Sequence, residues 1–161
     1  MKVQIIAAIQ RKDRGIGYKG TLLHHVSEDL KRFKKLTEKS GVVVMGRGTW
    51  DSLPESVRPL PNRHNIVLTS RPLTGGSTVH AVASVSEALE KAKETGKEIV
   101  SIIGGGQVYT SFLPYASTLE ITEIDGDKEA DTFFPEFEDT FVQVAEENAD
   151  GCVFKTYTRK V

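Results

Sequence analysis

One carboxylate in this sequence stands where it could take part in acid–base chemistry. The stretch SEDLKRFKKLTEK, residues 27–39, has helical spacing, and Ser27 is a suitable N-cap for it. On such a helix Asp29 shares a side with the apolar Phe33, whereas Glu28 lies on a charged side. A carboxylate that faces a core needs a cationic or hydrogen-bonding partner, or its pKa rises. Asp29 is therefore a candidate functional residue, although its place in the first helical turn would also be explained by the helix dipole.

Two glycine-rich turns could hold an anion. Each follows an apolar, strand-like run and precedes a helical pattern: IIGGGQVY (102–109) and VMGRGTW (44–50). Backbone N–H groups in such turns bind phosphate well, but a tight turn without a ligand explains either one alone. Neither turn matches GxGxxG or the P-loop pattern. Arg47, Ser70 and Arg71 follow two such strands, and several anion-binding features at one sheet edge favour a phosphorylated dinucleotide.

Two adjacent histidines, His24 and His25, raise the question of a metal site. Neighbouring loop residues point in different directions, and no cysteine or further histidine follows at ligand spacing. We therefore expect no metal site, with one imidazole facing the inside of the loop and the other facing water. The single cysteine, Cys152, excludes an internal disulfide and is typical of a reducing compartment.

The composition favours one domain with a small-molecule partner. A chain of 161 residues can bury one core of ordinary size, so we expect a single domain over residues 1–161. Its 21 Lys and Arg residues are balanced by 22 Asp and Glu residues, which argues against nucleic acid as a partner. No apolar run approaches the roughly 20 residues that span a bilayer, so no membrane partner is expected. The first residues lack a signal-peptide pattern, and we expect a cytoplasmic location.

An alternation of strands and helices must position the candidate residues. Short β-branched runs predict buried strands at 3–9, 42–45, 65–69, 78–83 and 99–103. Helical patterns lie between or after them at 27–39, 49–53, 86–95 and 107–113. Three more extended runs follow, the last two joined by a turn at Asp150 and Gly151. The prediction is an α/β fold: a central eight-stranded, mostly parallel mixed sheet with a C-terminal antiparallel hairpin, flanked by about four helices. The long irregular stretches, expected to be functional loops, are 10–26, 54–64 and 125–139.

In order and spacing these pieces resemble the dihydrofolate reductase family. The matching segments cover essentially the whole chain: IIAAI with the GIG loop after it, SEDLKRFK, VMGRGTWDSL, RPLPNRHNIVLTS, IIGGGQVY, ITEID and DTFFPE. The resemblance implies that family's fold. It also implies reduction of 7,8-dihydrofolate to 5,6,7,8-tetrahydrofolate with NADPH, which supplies one-carbon metabolism and thymidylate and purine synthesis.

The resemblance implies a role for each matched position in the substrate site. Asp29 would be the only ionisable side chain in the pterin pocket, supported by Thr122, and these two with Leu22 would form the catalytic set. One carboxylate suits the reaction because hydride addition to the C6=N5 imine is eased by protonation of N5. Arg63 would bind the α-carboxylate of the glutamate tail. The other implied substrate contacts are Ile6, Ala7, Phe33, Leu53, Leu60 and Ile103.

The cofactor contacts also follow from the resemblance. Arg47, Ser70 and Arg71 would bind the 2′-phosphate, which favours NADPH over NADH. Residues 10–26 would act as a lid that excludes water from hydride transfer. The remaining implied contacts are Ala8, Ile16, Gly17, Gly20, Gly46, Gly48, Thr49, Thr69, Ile103, Gly104, Gly105, Gly106, Gln107, Val108 and Tyr109.

The chain departs from the family pattern at two places. His24 stands where the family most often has tryptophan, with Leu23 in place of a proline, so the packing of the lid over the pterin is expected to differ. Gln107 stands where an arginine often follows the glycine turn, which removes one charge from the cofactor phosphates.

Two other functions fit part of the pattern. A reductase of another pterin, or of a riboflavin-pathway pyrimidine, would share the fold, but Asp29, Thr122 and Arg63 together favour folate. A nucleotide- or folate-binding module that has lost its chemistry would share the pocket, with the change at His24 as a cause. For the folate reductase implied by the resemblance, we expect a monomer.

Overall fold

The apolar runs of the sequence assemble into one sheet. The computed structural model describes all residues from 1 to 161. Its strands are β1 (Lys2–Gln10), β2 (Gly15–Tyr18), β3 (Thr21–Leu22), β4 (Val42–Gly46), β5 (His64–Leu68), β6 (Val79–Val82), β7 (Ile99–Ile102), β8 (Thr118–Ile124), β9 (Thr132–Phe133), β10 (Phe141–Ala149) and β11 (Cys152–Arg159). Eight of them form the main sheet in the order β10-β11-β8-β1-β7-β4-β5-β6. The predicted mixed sheet is thereby confirmed.

Strand direction follows the predicted pattern. β1 is parallel to both of its neighbours, and β4, β5, β6 and β7 continue in the same direction. Only β10 and β11 add antiparallel pairs. The turn between these two strands consists of Asp150 and Gly151, and Gly151 has a φ of 85°, a conformation that glycine adopts without a steric penalty.

Four helices cover the two faces of the sheet: α1 (Ser27–Ser40), α2 (Arg47–Ser52), α3 (Val85–Glu94) and α4 (Gly106–Phe112). Short 3-10 helices follow at Glu55–Val57 and Leu113–Tyr115. None of the helices combines the length and the hydropathy needed to cross a membrane.

Alternate residues of the central strands feed two separate cores. On β4, Val42 and Val44 belong to the larger cluster, whereas Val43 and Met45 belong to a smaller one on the opposite face. All four are completely buried, as expected for a parallel strand covered on both faces. The larger core packs under α3 and α4, and the smaller packs against Phe33 of α1 and Trp50 of α2.

Two of the stretches predicted to be irregular contain strands. β2 and β3 lie within residues 10–26, β9 lies within 125–139, and the three form a second, antiparallel sheet in the order β3-β2-β9. Gly17 pairs with both Leu22 and Thr132 in this sheet. The strands have only two to four residues, and β2 contains two glycines, so no periodic signal marks them in the sequence.

The start of α1 also differs from the expectation. The cap position is Val26, whose carbonyl accepts a hydrogen bond from the Leu30 N–H, and no side chain caps the helix. Ser27 is already helical, because the chain remains extended through Val26 with φ −109° and ψ 124°. The first-turn carboxylates Glu28 and Asp29 therefore supply the favourable charge at this helix end.

Candidate active site

A cavity of about 780 Å³ opens at the carboxyl-terminal side of the parallel strands. β1, the glycine turns after β4 and β7, the first turns of α1 and α2, and the β2–β3 segment form its wall. Crevices of open α/β sheets lie at this edge because the loops that follow parallel strands all emerge there. Only two of the lining residues are of an acidic or basic type, Asp29 and Arg47.

One half of the cavity is apolar apart from Asp29. β1 contributes Ile6, Ala7 and Ala8 to its floor, and the other apolar lining residues of this half are Leu22, Leu30, Phe33, Leu53 and Ile103. Leu22 and Leu30 are about half exposed, at 58% and 50%, so the mouth of this half is itself apolar. Such a wall suits a flat ring that meets one carboxylate.

The Asp29 carboxyl is mostly enclosed, and its surroundings act on it in opposite directions. Burial raises the pKa of Asp29, while the Thr122 hydroxyl and the Arg32 guanidinium lower it. Thr122 reaches this position because it pairs with Ala8 in the register between β8 and β1. The net effect of burial is to keep a proton on this carboxyl at a higher pH than on a solvated one.

The other half of the cavity is built by the two glycine turns. The Gly46 N–H donates to the Gly104 carbonyl at 2.9 Å, so the turns are bonded directly to each other. Gly104 has a φ of 121°, and a Cβ there would lie 3.1 Å from the Tyr109 hydroxyl oxygen. That hydroxyl donates to the Ile6 carbonyl at 2.8 Å, which joins α4 to the floor of the apolar half. A side chain at Gly104 would disturb this link.

Two arginines meet at the end of the glycine half. Arg47 donates from Nε to Asp51 Oδ1 at 3.0 Å and from Nη1 to Thr69 Oγ1 at 3.2 Å. Arg71 Nη2 lies 3.8 Å from Asp51 Oδ2, and its backbone N–H donates to the same Thr69 hydroxyl. Ser70, which precedes Arg71 in the chain, is exposed. The guanidinium groups of Arg47 and Arg71 are therefore brought together at the carboxylate of Asp51.

The β2–β3 segment is fastened by a buried glutamine. The Gln10 side chain is completely buried, and its Oε1 accepts from the Lys128 N–H at 3.0 Å while its Nε2 donates to the Lys128 carbonyl at 2.9 Å. These two bonds fix the amide orientation, so His24 Nε2, 2.9 Å from Oε1, must be the donor. Lys128 Nζ also donates to the Leu23 carbonyl. His24 thus faces inward, as expected of one of the two histidines, and His25 is exposed.

No group of three or more His, Cys, Asp and Glu side chains is arranged to hold a metal ion.

A model of the family described as dihydrofolate reductase matches residues 2–159. The chain belongs to the dihydrofolate reductase family.

Curated relatives agree with this family over most of their length. The dihydrofolate reductase HdrB of Haloferax volcanii is 40% identical, over 97% of this chain and 83% of the relative. A dihydrofolate reductase of Neisseria gonorrhoeae is 40% identical over 91% of this chain and 86% of its own length. One of Bacillus subtilis is 40% identical over 80% of this chain and 73% of its own length. Membership in the dihydrofolate reductase family makes the chain an oxidoreductase.

Most residues expected from the dihydrofolate reductase pattern line the cavity together. They are Ile6, Ala7, Ala8, Ile16, Gly17, Gly20, Leu22, Asp29, Phe33, Gly46, Arg47, Gly48, Thr49, Leu53, Ile103, Gly104, Gly105, Gly106, Gln107, Val108 and Tyr109. Six others lie outside its wall: Leu60, Arg63, Thr69, Ser70, Arg71 and Thr122. Of these, Thr122 lies against Asp29, and Leu60 packs in the smaller core with Phe33, Leu53 and Ile103.

Arg63 is more enclosed than a free surface arginine. Its Nε donates to the Pro61 carbonyl at 2.8 Å and its Nη1 to the Thr37 hydroxyl at 2.9 Å. Burial lowers the pKa of Arg63, and Glu38 opposes that shift. No buried side-chain nitrogen lacks a partner, so the remaining nitrogen, Nη2, must reach the surface.

The sequence prediction missed seven residues of the wall: Tyr18, Thr21, Leu30, Ser52, Leu68, Ser111 and Thr132. Leu30 was open to prediction, because an apolar residue directly after Asp29 lies beside the carboxylate at the helix start. Thr132 had no such signal, since it enters the wall only through the pairing of β9 with β2.

Proposed function

We propose that this protein reduces 7,8-dihydrofolate to 5,6,7,8-tetrahydrofolate with NADPH, as one dihydrofolate reductase domain over residues 1–161. The observation that carries the proposal is the single carboxylate of Asp29 in an otherwise apolar half-cavity that continues into a glycine-rich half. A pterin is a flat ring with a row of N–H donors along one edge. It needs apolar contact on its faces and one acceptor at that edge, and this half-cavity supplies both.

Asp29 would bind the 2-amino group and N3 of the pterin, with the Thr122 hydroxyl holding the carboxyl in place. Because burial raises the pKa of Asp29, this group can keep a proton available at a pH where a solvated carboxyl has lost it. That proton would be transferred, directly or through water, to N5 of the substrate. Leu22 and Phe33 would hold the ring against the floor formed by Ile6 and Ala7.

The glycine half fits a dinucleotide. α2 and α4 both start without a side-chain cap, so no side chain competes for the first N–H groups of either helix. The two helix starts face each other, since a Cβ at Gly105 would lie 3.8 Å from the Thr49 hydroxyl, and no atom lies within 4 Å of a Cβ at Gly48. When bound, NADPH supplies the hydride that is added to C6 of the substrate.

The arginine pair would distinguish NADPH from NADH. The side chains of Arg47 and Arg71 come together at Asp51, next to the exposed Ser70. Two guanidinium groups with a hydroxyl nearby suit the 2′-phosphate, which carries more charge than Asp51 and would take over part of its hydrogen bonding. The Asp51 carboxylate would then be a competitor that weakens the preference without abolishing it.

Residues 10–26 would serve as the lid of the site. Ile16, Gly17, Gly20 and Leu22 line the cavity from this segment, so its position decides how much water reaches the reacting carbon and nitrogen. We further propose that the protein acts as a cytoplasmic monomer in one-carbon metabolism, which requires tetrahydrofolate for thymidylate and purine synthesis.

The decisive experiment is a turnover assay that follows loss of absorbance at 340 nm with NADPH and dihydrofolate. We expect steady oxidation of NADPH, and replacement of NADPH by NADH should raise the cofactor KM. Tight NADPH binding without turnover would favour a binding module. Turnover with a riboflavin-pathway pyrimidine but not with dihydrofolate would favour a different reductase of this fold.

Arg63 can be tested with a truncated substrate. Arg63→Ala should raise the KM for dihydrofolate, because a charge-assisted pair that contributes about 2 to 4 kcal/mol to binding is lost. The same variant should act like the unmodified enzyme on a dihydropterin that lacks the glutamate tail. If both substrates are affected equally, Arg63 acts through its bonds to Pro61 and Thr37 and not through the tail.

A further inference from the structure

A partly buried ion pair lies between α1 and β8, one helical turn from Asp29. Arg32, one helical turn further along α1, donates from Nη2 to Glu120 Oε2 on β8 at 2.5 Å. The side chains are 25% and 12% exposed. The Thr156 hydroxyl on β11 donates to the same carboxylate oxygen at 2.9 Å, and the guanidinium carbon lies 4.7 Å from the centre of the Phe154 ring. A pair enclosed in this way is screened by water and salt much less than one on the surface.

Two side-chain contacts connect α1 to β8. Side chains two apart on a strand share a face, so Glu120 and Thr122 both point toward α1. Residues three apart on a helix are neighbours, so Asp29 and Arg32 lie one above the other. Asp29 meets Thr122, and Arg32 meets Glu120. Neither Arg32 nor Glu120 lines the cavity, so neither is placed to touch a substrate there.

Arg32 is the one cation among the charged groups around Asp29. Burial raises the pKa of Asp29, and of the groups that lower it only Arg32 carries a charge. The other titratable groups that act on Asp29, or on the thiol beside it, are acidic or neutral: Glu28 on α1, Tyr109 on α4, Cys152 on β11 and Asp150 in the hairpin turn.

We propose that Arg32 and Glu120 are positioning residues for Asp29. Arg32 places a cation near the Asp29 carboxyl, and Glu120 holds Arg32 in place and offsets part of the Arg32 charge. The proposal rests on the function proposed above, in which Asp29 is the acid–base group of the site. Arg32 acting alone would favour the carboxylate form of Asp29, whereas Glu120 acting alone would favour the protonated form. Two residues that touch no ligand thus adjust how strongly Asp29 holds its proton.

The test is a direct titration of Asp29 in the full-length protein. Aspartate labelled with ¹³C at Cγ gives one carboxyl signal for each Asp, and the signal lost in Asp29→Asn identifies the residue. Arg32→Gln should move the Asp29 midpoint to higher pH, and Glu120→Gln should move it to lower pH. Each change should alter the proton affinity by about threefold or more, as expected when a single charge is removed near a carboxyl in a partly buried site.

Matched variants separate this effect from a loss of structure. Arg32→Lys keeps the charge and should shift the midpoint less than Arg32→Gln does. Glu123→Gln removes a carboxylate from the opposite face of the same strand, where Glu123 pairs with Arg11 and Lys155, and should leave Asp29 unchanged. If Arg32→Gln does not fold because Glu120 is left unpaired, the comparison of Glu120→Gln with Glu123→Gln still decides the question.

Shifts of opposite sign in Arg32→Gln and Glu120→Gln support the proposal. No shift of the Asp29 midpoint in Glu120→Gln, or midpoint shifts of the same sign in both variants, would overturn it. If the ion pair only stabilised the fold, breaking it from either side would loosen the site in the same way and move the midpoint in the same direction. The pH profile of kcat/KM should follow the titration. Absence of any dihydrofolate-dependent turnover in the unmodified protein would instead refute the proposed function, while the titration would still report whether the pair acts on Asp29.

Discussion

Asp29 has to satisfy two opposing demands. To meet a pterin it must be enclosed, and an enclosed carboxylate weakens the fold when it is charged. Because burial raises the pKa of Asp29 above its unfolded value, the native state binds this proton more tightly than the unfolded state does. The resulting stabilisation is complete below the unfolded pKa of about 4 and is lost as the pH rises through the folded pKa.

Asp29→Asn should therefore separate activity from stability. We expect kcat to fall by about 10² to 10⁴-fold, most strongly at high pH, where substrate that is already protonated is scarce. The variant should also lose less stability than the unmodified protein between pH 4 and pH 8, as measured by urea unfolding at several pH values. Glu28→Gln, which changes the partly exposed neighbour, is the control. Equal pH dependence of Asp29→Asn and the unmodified protein would contradict the assigned burial effect.

Substitutions in and next to the arginine pair should change the affinity for NADPH in opposite directions. Arg47→Ala should weaken NADPH binding by about 1.5 to 3 kcal/mol and leave NADH nearly unaffected, since only the 2′-phosphate needs the guanidinium. Asp51→Asn should strengthen NADPH binding, because it removes the competing carboxylate. Calorimetric titration of both cofactors measures each effect. If Asp51→Asn changes the two affinities alike, Asp51 only supports the helix.

At the scale of elements, one buried amide, that of Gln10, links the lid to the main sheet. Gln10→Met keeps the side-chain volume but removes the bonds that join β1 to His24 and Lys128. We expect amide hydrogen exchange to accelerate in residues 14–24 and 126–131 while the main sheet keeps its protection. The activity should fall mainly through kcat, because a loose lid admits water during the reaction.

A matched glutamine serves as the control for this experiment. Gln4 is also buried on β1, where its Nε2 donates to the Ser101 hydroxyl at 2.9 Å, far from the lid. Gln4→Met should lower the global stability without selective exchange in residues 14–24. If both variants open the lid equally, Gln10 acts through general stability and not as a clamp.

The elements differ in how far the sequence could predict them. Val42 to Met45 form a continuous apolar run, and such runs predicted five strands of the main sheet, because burial on both faces requires apolar residues at successive positions. The other three strands, β8, β10 and β11, were predicted from extended runs near the end of the chain, the last two joined by the turn at Asp150 and Gly151. β2 and β9 left no such trace, since each pairs with the other across more than 100 residues of the chain. β3 has only two residues, too few to show a period, although its partner β2 is close in the chain.

The site shows the same division. Asp29 was predictable because helical spacing turned it toward apolar residues. Arg32 lies four residues after Glu28, on the side of the helix that the spacing predicts to be charged. It nevertheless points between α1 and β8, because Glu120 gives it a mostly buried partner that no spacing rule reveals. Asp51 was missed because its role depends on Arg47 and Arg71 meeting in space.

At the scale of the whole molecule, stability rests on strands that serve two cores at once. Ile66 on β5 is fully buried in the larger core. Ile66→Ala should lower the free energy of unfolding by about 2 to 5 kcal/mol with an unchanged m-value in urea. Val142→Ala on the edge strand β10, where the residue is 47% exposed, should change it by less than about 0.5 kcal/mol. Similar losses at both positions would contradict the assigned cores.

The small sheet of β2, β3 and β9 limits how this protein can be recombined with its relatives. β9 bonds to β2 at Gly15 and Gly17, and a Cβ at Gly106 would lie only 2.8 Å from Thr132 Cγ2. A chimera that takes residues 10–26 from another family member, but keeps residues 125–139, would therefore pair a β2 and a β9 that come from different proteins, with side chains that do not fit each other. The two segments should be exchanged together, as one unit, although residues 27–124 separate them in the chain.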